Sequence, residues 1–517
     1  MKGKLVGKNK IFFYKSGFST LELMIAFALI SIVLVGAVGA NFSAQYWSIT
    51  SETSNEALYK AKTKLEDLRS LIKQDFYSVV STPLTVSADP TDPADASCIA
   101  GGLCYSVQST VTDVSSCSKY VEALVQWKVD NYPITSVKLG TNLTNSTEII
   151  NRGGDCVLNE PNGDWKNSGA QTVGQLSFAP GKQFTGIDVL QKKIYVTSGL
   201  SPSLLIYDIP TAVGQNPVLD KSLDITIGGV SKTFNGLDTE EDLATGRTYI
   251  FLALNATTSQ LVVVDATDAH NPTVIAQRNL QTTDPFGSFP QGWRVFIYGG
   301  RLYMTTRETS GPELHIFDIT TPTLPTEIGN GVELNRTVND IVVRDQKVGN
   351  VTHRFMFLAS DSAIKELGVF DVTNDVVTEV NSVDLPGIYD TYSLYLLGNN
   401  LYLGRASNPT GPELYVFSVT NPSVSLPIVG QGEVGADVTS IKVTGKYDFI
   451  GTGKVGEEFQ TWDSDFTPWN PTVLNSGRFK SYSIPNLAPL GFDIDTNWIY
   501  TITKSLANDM IKVIYTP

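Results

Sequence analysis

Apolar and small residues run from Leu23 to Ala40, interrupted only by Ser31. Beyond Trp47 the pattern becomes a stripe. Leu58, Ala61, Leu65, Leu68, Ile72 and Phe76 recur at three- and four-residue steps between polar residues. Such steps place apolar side chains on one face of an α-helix. No proline occurs from Phe18 to about Val80, and Glu56–Lys60 and Lys62–Glu66 stand four apart, where opposite charges meet on a helix surface. The pattern predicts one helix of about 60 residues, about 90 Å long at 1.5 Å per residue. Its first half is apolar all round and fits a membrane span; its second half is one-sided and needs a covering layer.

The period then changes to two. "LCYSVQSTV", "KYVEALVQWKV" and "ITSVKLGTNLT" alternate apolar and polar residues and predict a small antiparallel sheet. Residues 151–173, rich in Gly, Asn and Asp, read as a linker. After it the chain repeats: "LLIYDIPTAVGQNP", "LVVVDATDAHNP", "LHIFDITTPTLP", "LGVFDVTND", "LYVFSVTNPSVSLP" and "FQTWDSDFTPWNP" share apolar alternation, a turn and, in all but the fifth, an Asp near the strand end, most with a Pro. The period of about 50 residues suits propeller blades. Alternation sends Leu and Ile between stacked sheets, Asp accepts from nearby backbone N–H groups, and Pro falls at an outer edge where no donor is missed. Units starting near Gly186, Gly236, Arg294, Asp340, Tyr392, Val438 and Gly491 number seven. The last ends after its third strand, "MIKVIYTP", and "TVGQLSFA" ahead of the first reads as the outer strand that closes the ring.

Charge and cysteines narrow the setting. The formal charge is −14, and losing Lys2, Lys4, Lys8, Lys10 and Lys15 would make it −19. Such a chain lacks the basic surface that nucleic acid needs. The four cysteines, Cys98, Cys104, Cys117 and Cys156, all follow the apolar run and lie in one region. Outside a membrane such a cluster reads as disulfides. Three pairings are possible; Cys98–Cys104, across "CIAGGLC", with Cys117–Cys156 is the favoured one. A zinc site lacks the two-residue Cys spacing and a nearby histidine.

The basic stretch ahead of Gly17, followed by "GFSTLE" and the apolar run, resembles the processing site of type IV prepilins and type II secretion pseudopilins. "EALYKAKTKLEDLRSL" and the stretch around Trp127 resemble minor pilins. The resemblance implies cleavage by a prepilin peptidase after Gly17, a methylated Phe18 as new N-terminus, and Glu22 as the assembly glutamate. A carboxylate in lipid is costly, about 2.5–3.5 kcal/mol on insertion scales. The resemblance implies that a neighbouring subunit's Phe18 amine offsets it. The later repeats resemble LVIVD-type propeller repeats.

The resulting fold expectation is multidomain, α+β and all-β. A leader (1–17) precedes a long pilin helix (18–80, with 18–40 in the membrane or filament core). A small disulfide-braced β domain (81–156) and a linker (157–173) lead to a seven-bladed β-propeller (174–517).

Little in the chain looks catalytic. "GTGKVG" matches a dinucleotide loop but is followed by a strand pattern, so it reads as a hairpin loop. His270, His315 and His353 lie in different repeats without partner motifs, and alternation gives His315 an outward or rim position. Asp89, Asp92 and Asp95, like Asp493, Asp495 and Asn497, imitate calcium loops only in part. No cofactor or catalytic residue is expected. The expectation is a non-enzymatic minor pilin or pseudopilin-like subunit. It would cross the inner membrane once, N-terminus inside, before display on an extracellular filament or the cell surface. Its partners would be the prepilin peptidase, other pilin subunits, the assembly platform and an extracellular ligand of the propeller. The alternatives are a surface-anchored enzyme, which converging acids or histidines in the propeller channel would favour, and a type II secretion pseudopilin, which Glu22 alone does not separate from a pilus subunit.

Overall fold

The computed structural model describes residues 20–81, 104–128, 134–167, 170–178, 183–256, 258–280, 291–307, 310–409, 411–464, 477–484, 488–504 and 509–516. The chain divides into two compact units, one of 1–64, 84–108 and 123–139, the other of 65–83, 109–122 and 140–517.

Helix α1 (Thr20–Gln74) runs 55 residues without a break. Its apolar half is exposed all round, with Met24, Val35 and Trp47 each 70% exposed. It is the one described helix long and apolar enough to cross a membrane. The stripe behaves differently: Ala61, Leu68, Ile72 and Phe76 are buried, while Leu58 is exposed and its neighbour Ala57 is buried in its place. In the second unit Leu68, Ile72, Phe76 and Tyr77 cluster with Val121 and Leu143. Of the two expected charge pairs, Glu56–Lys60 forms at 3.4 Å, and Glu66 instead meets Arg69 at 2.7 Å. Strands β1 (Cys104–Ser115), β2 (Ser118–Lys128) and β3 (Thr135–Thr144) make a three-stranded sheet in that order. A short helix, α2 (Ser146–Asn151), follows, capped by Asn145 Oδ1, which accepts from the N–H groups of Thr147 and Glu148.

The rest is a β-propeller. Among the described residues seven four-stranded antiparallel sheets follow one another, here I (184–223), II (234–278), III (292–332), IV (338–383), V (391–432), VI (438–482) and VII (488–515). Sheets I to VI take their strands in chain order, while VII has three of its own and a fourth, β4 (Gln171–Phe178), from ahead of sheet I. β4 pairs antiparallel with the last strand, Met510 opposite Ser177 and Val513 opposite Gly174. The innermost strands neighbour one another in order, and that of VII lies against that of I. The strand around "TVGQLSFA" thus occupies the outer place read for it in the sequence.

Two polar fastenings recur among the repeats. The aspartate ending the third strand accepts from the N–H two residues on, at 3.0 Å for Asp265–Thr267, 3.0 Å for Asp318–Thr320 and 2.9 Å for Asp371–Thr373. The residue before the third strand is often a buried carboxylate that grips the exit of the fourth. Glu313 accepts from Leu334 and Asn335, Glu366 from Leu385, Glu413 from Val434 and Gly435, and Glu458 from Ile484. Gln260 does the same for Leu280. These glutamates explain the recurring "GPEL", which the sequence displays without its reason.

One residue breaks the pattern. Asp448, opposite Val443, occupies the place held in the other sheets by Ile194, Ile250, Leu302, Met356, Leu401 and Ile499. It is fully buried, neither carboxyl oxygen has a hydrogen-bond partner, and burial alone pushes its pKa well above the ordinary range. A raised folded-state pKa contributes stability below the unfolded value, and that contribution is lost as pH rises toward the folded value. Asp448→Leu should therefore stabilise the propeller at neutral pH by about 1–3 kcal/mol, the cost of an unmet buried polar group. Thermal melts of the variant should also fall less steeply from about pH 4 upward than those of the parent. Equal melting temperatures at pH 8 would count against a buried, unpartnered carboxyl.

Candidate functional site

The propeller's axial channel is built by the innermost strands. Each has a register shift near its start, at Gly186, Gly236, Arg294, Asp340, Ser393, Ser440 and Gly491. Two residues further on, where alternation returns to the same side, stand Asp188, Asp238, Phe296, Val342, Tyr395, Lys442 and, in sheet VII, Asp493. The channel encloses about 1100 Å³, open solvent included, and all of these residues but Asp493 line it.

Its carboxylates are hydrogen-bonded across the sheets. Asp493 of sheet VII accepts from Val189 N of sheet I at 2.8 Å. Asp188 of sheet I accepts from Thr239 N of sheet II at 2.8 Å and from its hydroxyl at 2.7 Å. Asp238 of sheet II accepts from Ile297 N of sheet III at 2.6 Å. Asp340 repeats the bond one step away, accepting from Leu394 N at 2.7 Å. Arg294 donates to the carbonyls of Asn339 and Asn235, on either side of its own strand. The acids therefore latch inner strand to inner strand, and the junction of VII with I uses the same latch as I with II.

A second group reaches the channel from α2 and the segment after it. Glu148 accepts from Tyr298 OH at 2.7 Å. Asn151 O accepts from Gly299 N, and Gly153 O from Glu241 N, both at 2.7 Å. These bonds fasten the segment to sheets II and III. Arg152 lies over the Phe296 ring and pairs with Asp155 at 3.4 Å, and both line the channel. Asp155, Asp188 and Asp493 bring carboxylate oxygens within 4.8 Å of one another. Lys442 Nζ stands 2.9 Å from Asp493 Oδ1.

Burial raises the pKa of Asp188 well above the ordinary range, with Asp155, Asp493 and Asp238 adding to the shift and Lys442 opposing it. Asp238 is pushed up to about 8, first by burial and then by Asp155. Burial lowers Lys442, but Asp493, Asp155, Tyr395 and Asp188 outweigh it and hold the ammonium above its usual value. The ammonium thus places one positive charge beside the three clustered carboxylates.

Apart from Asp493, the residues singled out in the sequence fall elsewhere. Gly17 and Phe18 lie outside the described residues; Glu22 is in α1, with its side chain outside the description. Cys117 and Cys156 are joined, 6.0 Å apart at Cα, which ties the β1–β2 turn to the end of the channel segment. Cys98 lies outside the described residues, as does the Cys104 side chain, although Cys104 opens β1. Asp89, Asp92 and Asp95 are outside as well. Asp493, Asp495 and Asn497 diverge: Asp495 pairs with Lys192 at 2.5 Å, and Asn497 accepts from Gly163 N and Trp165 Nε1. "GTGKVG" is the end of one strand and the loop that leads to the next. His315 corrects the sequence reading. It is fully buried, with Nδ1 2.7 Å from Glu327 and Nε2 3.0 Å from the Pro312 carbonyl, because third strands are covered on both faces. Arg152 and Asp155 were concealed in a stretch whose composition reads as linker.

No protein-family model and no curated protein matches the chain. Among solved structures it is similar to the periplasmic gluconolactonase of Pseudomonas aeruginosa, at 12% identity and a TM-score of 0.43 over 74% of this chain and 97% of that one. BamB from Moraxella catarrhalis aligns at 11% identity and a TM-score of 0.38, over 67% and 90%. A chain of the Polycomb Repressive Complex 2 of Chaetomium thermophilum aligns at 8% and 0.46, over 68% and 99%.

Proposed function

We propose that the protein is a minor pilin or pseudopilin-like subunit that carries a seven-bladed propeller outside the membrane for adhesion or partner binding. The observation that carries this reading is α1: an unbroken helix, apolar on every side first and one-sided afterwards. A plain anchor needs only the first half. A filament subunit needs both, because the helix must pack with its neighbours and also carry a folded domain. The "GFSTLE" stretch at its start adds the processing signal.

The enzyme reading has the channel acids in its favour. Against it, Asp188, Asp238 and Asp493 each accept a neighbouring strand's N–H, and Lys442 and Arg152 balance much of the charge. Carboxylates engaged in this way fasten a scaffold, and binding then falls to its surface.

Intact-mass analysis of protein extracted from membranes tests the proposal. The mature chain should begin at Phe18 with a methylated amine, and Gly17→Arg should leave the leader in place. A chain beginning at Met1 where the peptidase is active, or after Ala40, would overturn it.

A further inference from the structure

We infer that a cleft between sheets III and IV binds a carboxylate carried on an apolar body. The site lies on the propeller and so rests on the reading that this portion does the binding, though not on the anchoring of α1. The cleft holds about 880 Å³, solvent at its mouth included. Arg336 lines it at 6% exposure, yet its Nε–H has no hydrogen-bond partner. A buried donor left unmet is costly.

The guanidinium is only loosely balanced. Its Nη2 is 3.6 Å from Glu379 Oε1, while Glu379 Oε2 already accepts from Lys365 Nζ at 2.8 Å. Two cations share that carboxylate. Glu333, also in the lining, is exposed and accepts from Asn335 N. Gly368 makes room for the arginine, since a Cβ there would come within 2.8 Å of Nη2. The Phe370 ring lies 5.9 Å from the guanidinium carbon.

The walls supply the other half of the recognition. Leu334, Phe370 and Val377 line the cleft and belong to the apolar packing between the two sheets. Ile364, 68% exposed, extends that surface outward. A planar carboxylate matches a guanidinium fork through paired N–H bonds, with Lys365 as a second charge. An aliphatic or aromatic body on the same ligand would cover Ile364. A free organic acid and the apolar C-terminal residue of a peptide share this chemistry.

The test uses the full chain in detergent, titrated calorimetrically with N-acetyl-leucine, N-acetyl-leucinamide, and a short peptide ending in leucine with a free or amidated terminus. The carboxylate forms should bind about tenfold or more tightly than the amides. N-acetyl-leucine binding as tightly as the peptide assigns the site to small acids; a much tighter peptide assigns it to a chain terminus. Arg336→Gln should abolish binding and Lys365→Gln should weaken it severalfold. If Arg336→Gln does not fold, Ile364→Asp, on the exposed wall, should fold and lose binding. The inference is overturned if no carboxylate form saturates at millimolar concentration, if amides bind equally, or if folded variants of Arg336 or Ile364 bind like the parent. None of these results bears on processing at Gly17, which the mass measurement reads separately.

Discussion

A propeller fragment starting at Gly186 should aggregate or melt far below one starting at Ser168. Both lack α1, the small sheet and α2, so β4 is the main difference between them. The longer fragment retains the pairing of Gln171–Phe178 with the final strand, seven residue pairs in all. It also keeps Val173, Leu176 and Phe178 packed against the cluster of Ile511, Val513 and Tyr500. Net hydrogen bonds of about 0.5–1.5 kcal/mol each, with the apolar area at about 25 cal/mol per Å², put the loss on the order of 5 kcal/mol or more. That is comparable with the whole stability of many domains, about 5–15 kcal/mol. The shorter fragment would also leave an unpaired apolar edge, a template for association. Denaturant unfolding with light scattering reads both effects, and equal midpoints would falsify the closing role of β4.

Glu22→Ala should leave insertion, cleavage and folding intact and remove the protein from filaments. Alanine makes the span more apolar, so membrane entry becomes easier by about 2.5–3.5 kcal/mol on the insertion scale. The carboxylate's proposed work is to meet the Phe18 amine of a neighbour, and without it nothing sets the axial register between helices. Incorporation, measured by quantitative blotting of sheared filaments, should fall at least about tenfold, as the loss of one well-placed buried ion pair implies. Adhesion should fall in step with incorporation while membrane levels hold. Full activity from Glu22→Ala protein confined to the membrane would move the anchored-enzyme reading ahead.

Much of the fold was legible because it is periodic. The apolar run and the stripe predicted a helix over 18–80, and α1 occupies Thr20–Gln74. Third strands were visible because Leu204, Leu261, Leu314, Leu367 and Leu414 open matching apolar runs, each buried between sheets. The channel was not visible. Asp188, Asp238 and Asp493 come together only when the inner strands are aligned on their register shifts, although "GID", "GLD" and "GFD" carried the signal. Arg152 and Asp155 reach the channel through tertiary bonds that composition does not record. His315 misled because alternation predicts an outward face only where that face meets water, and here a neighbouring sheet covers it. Asp448 looked ordinary beside Tyr447 until its strand was aligned with six others.

The pairing of β4 with the last strand also sets a clock. Phe178 and its partner Asp509 are 331 residues apart (509 − 178). At synthesis rates of about 5–20 residues per second, β4 waits on the order of 20–60 s for its partner to be made. Throughout that interval the nascent chain has the apolar half of α1 at one end and an unclosed ring at the other. The ring therefore cannot close until sheet VII has been made, and a ribosome that stalls before its last strand releases a chain whose β4 edge is still open.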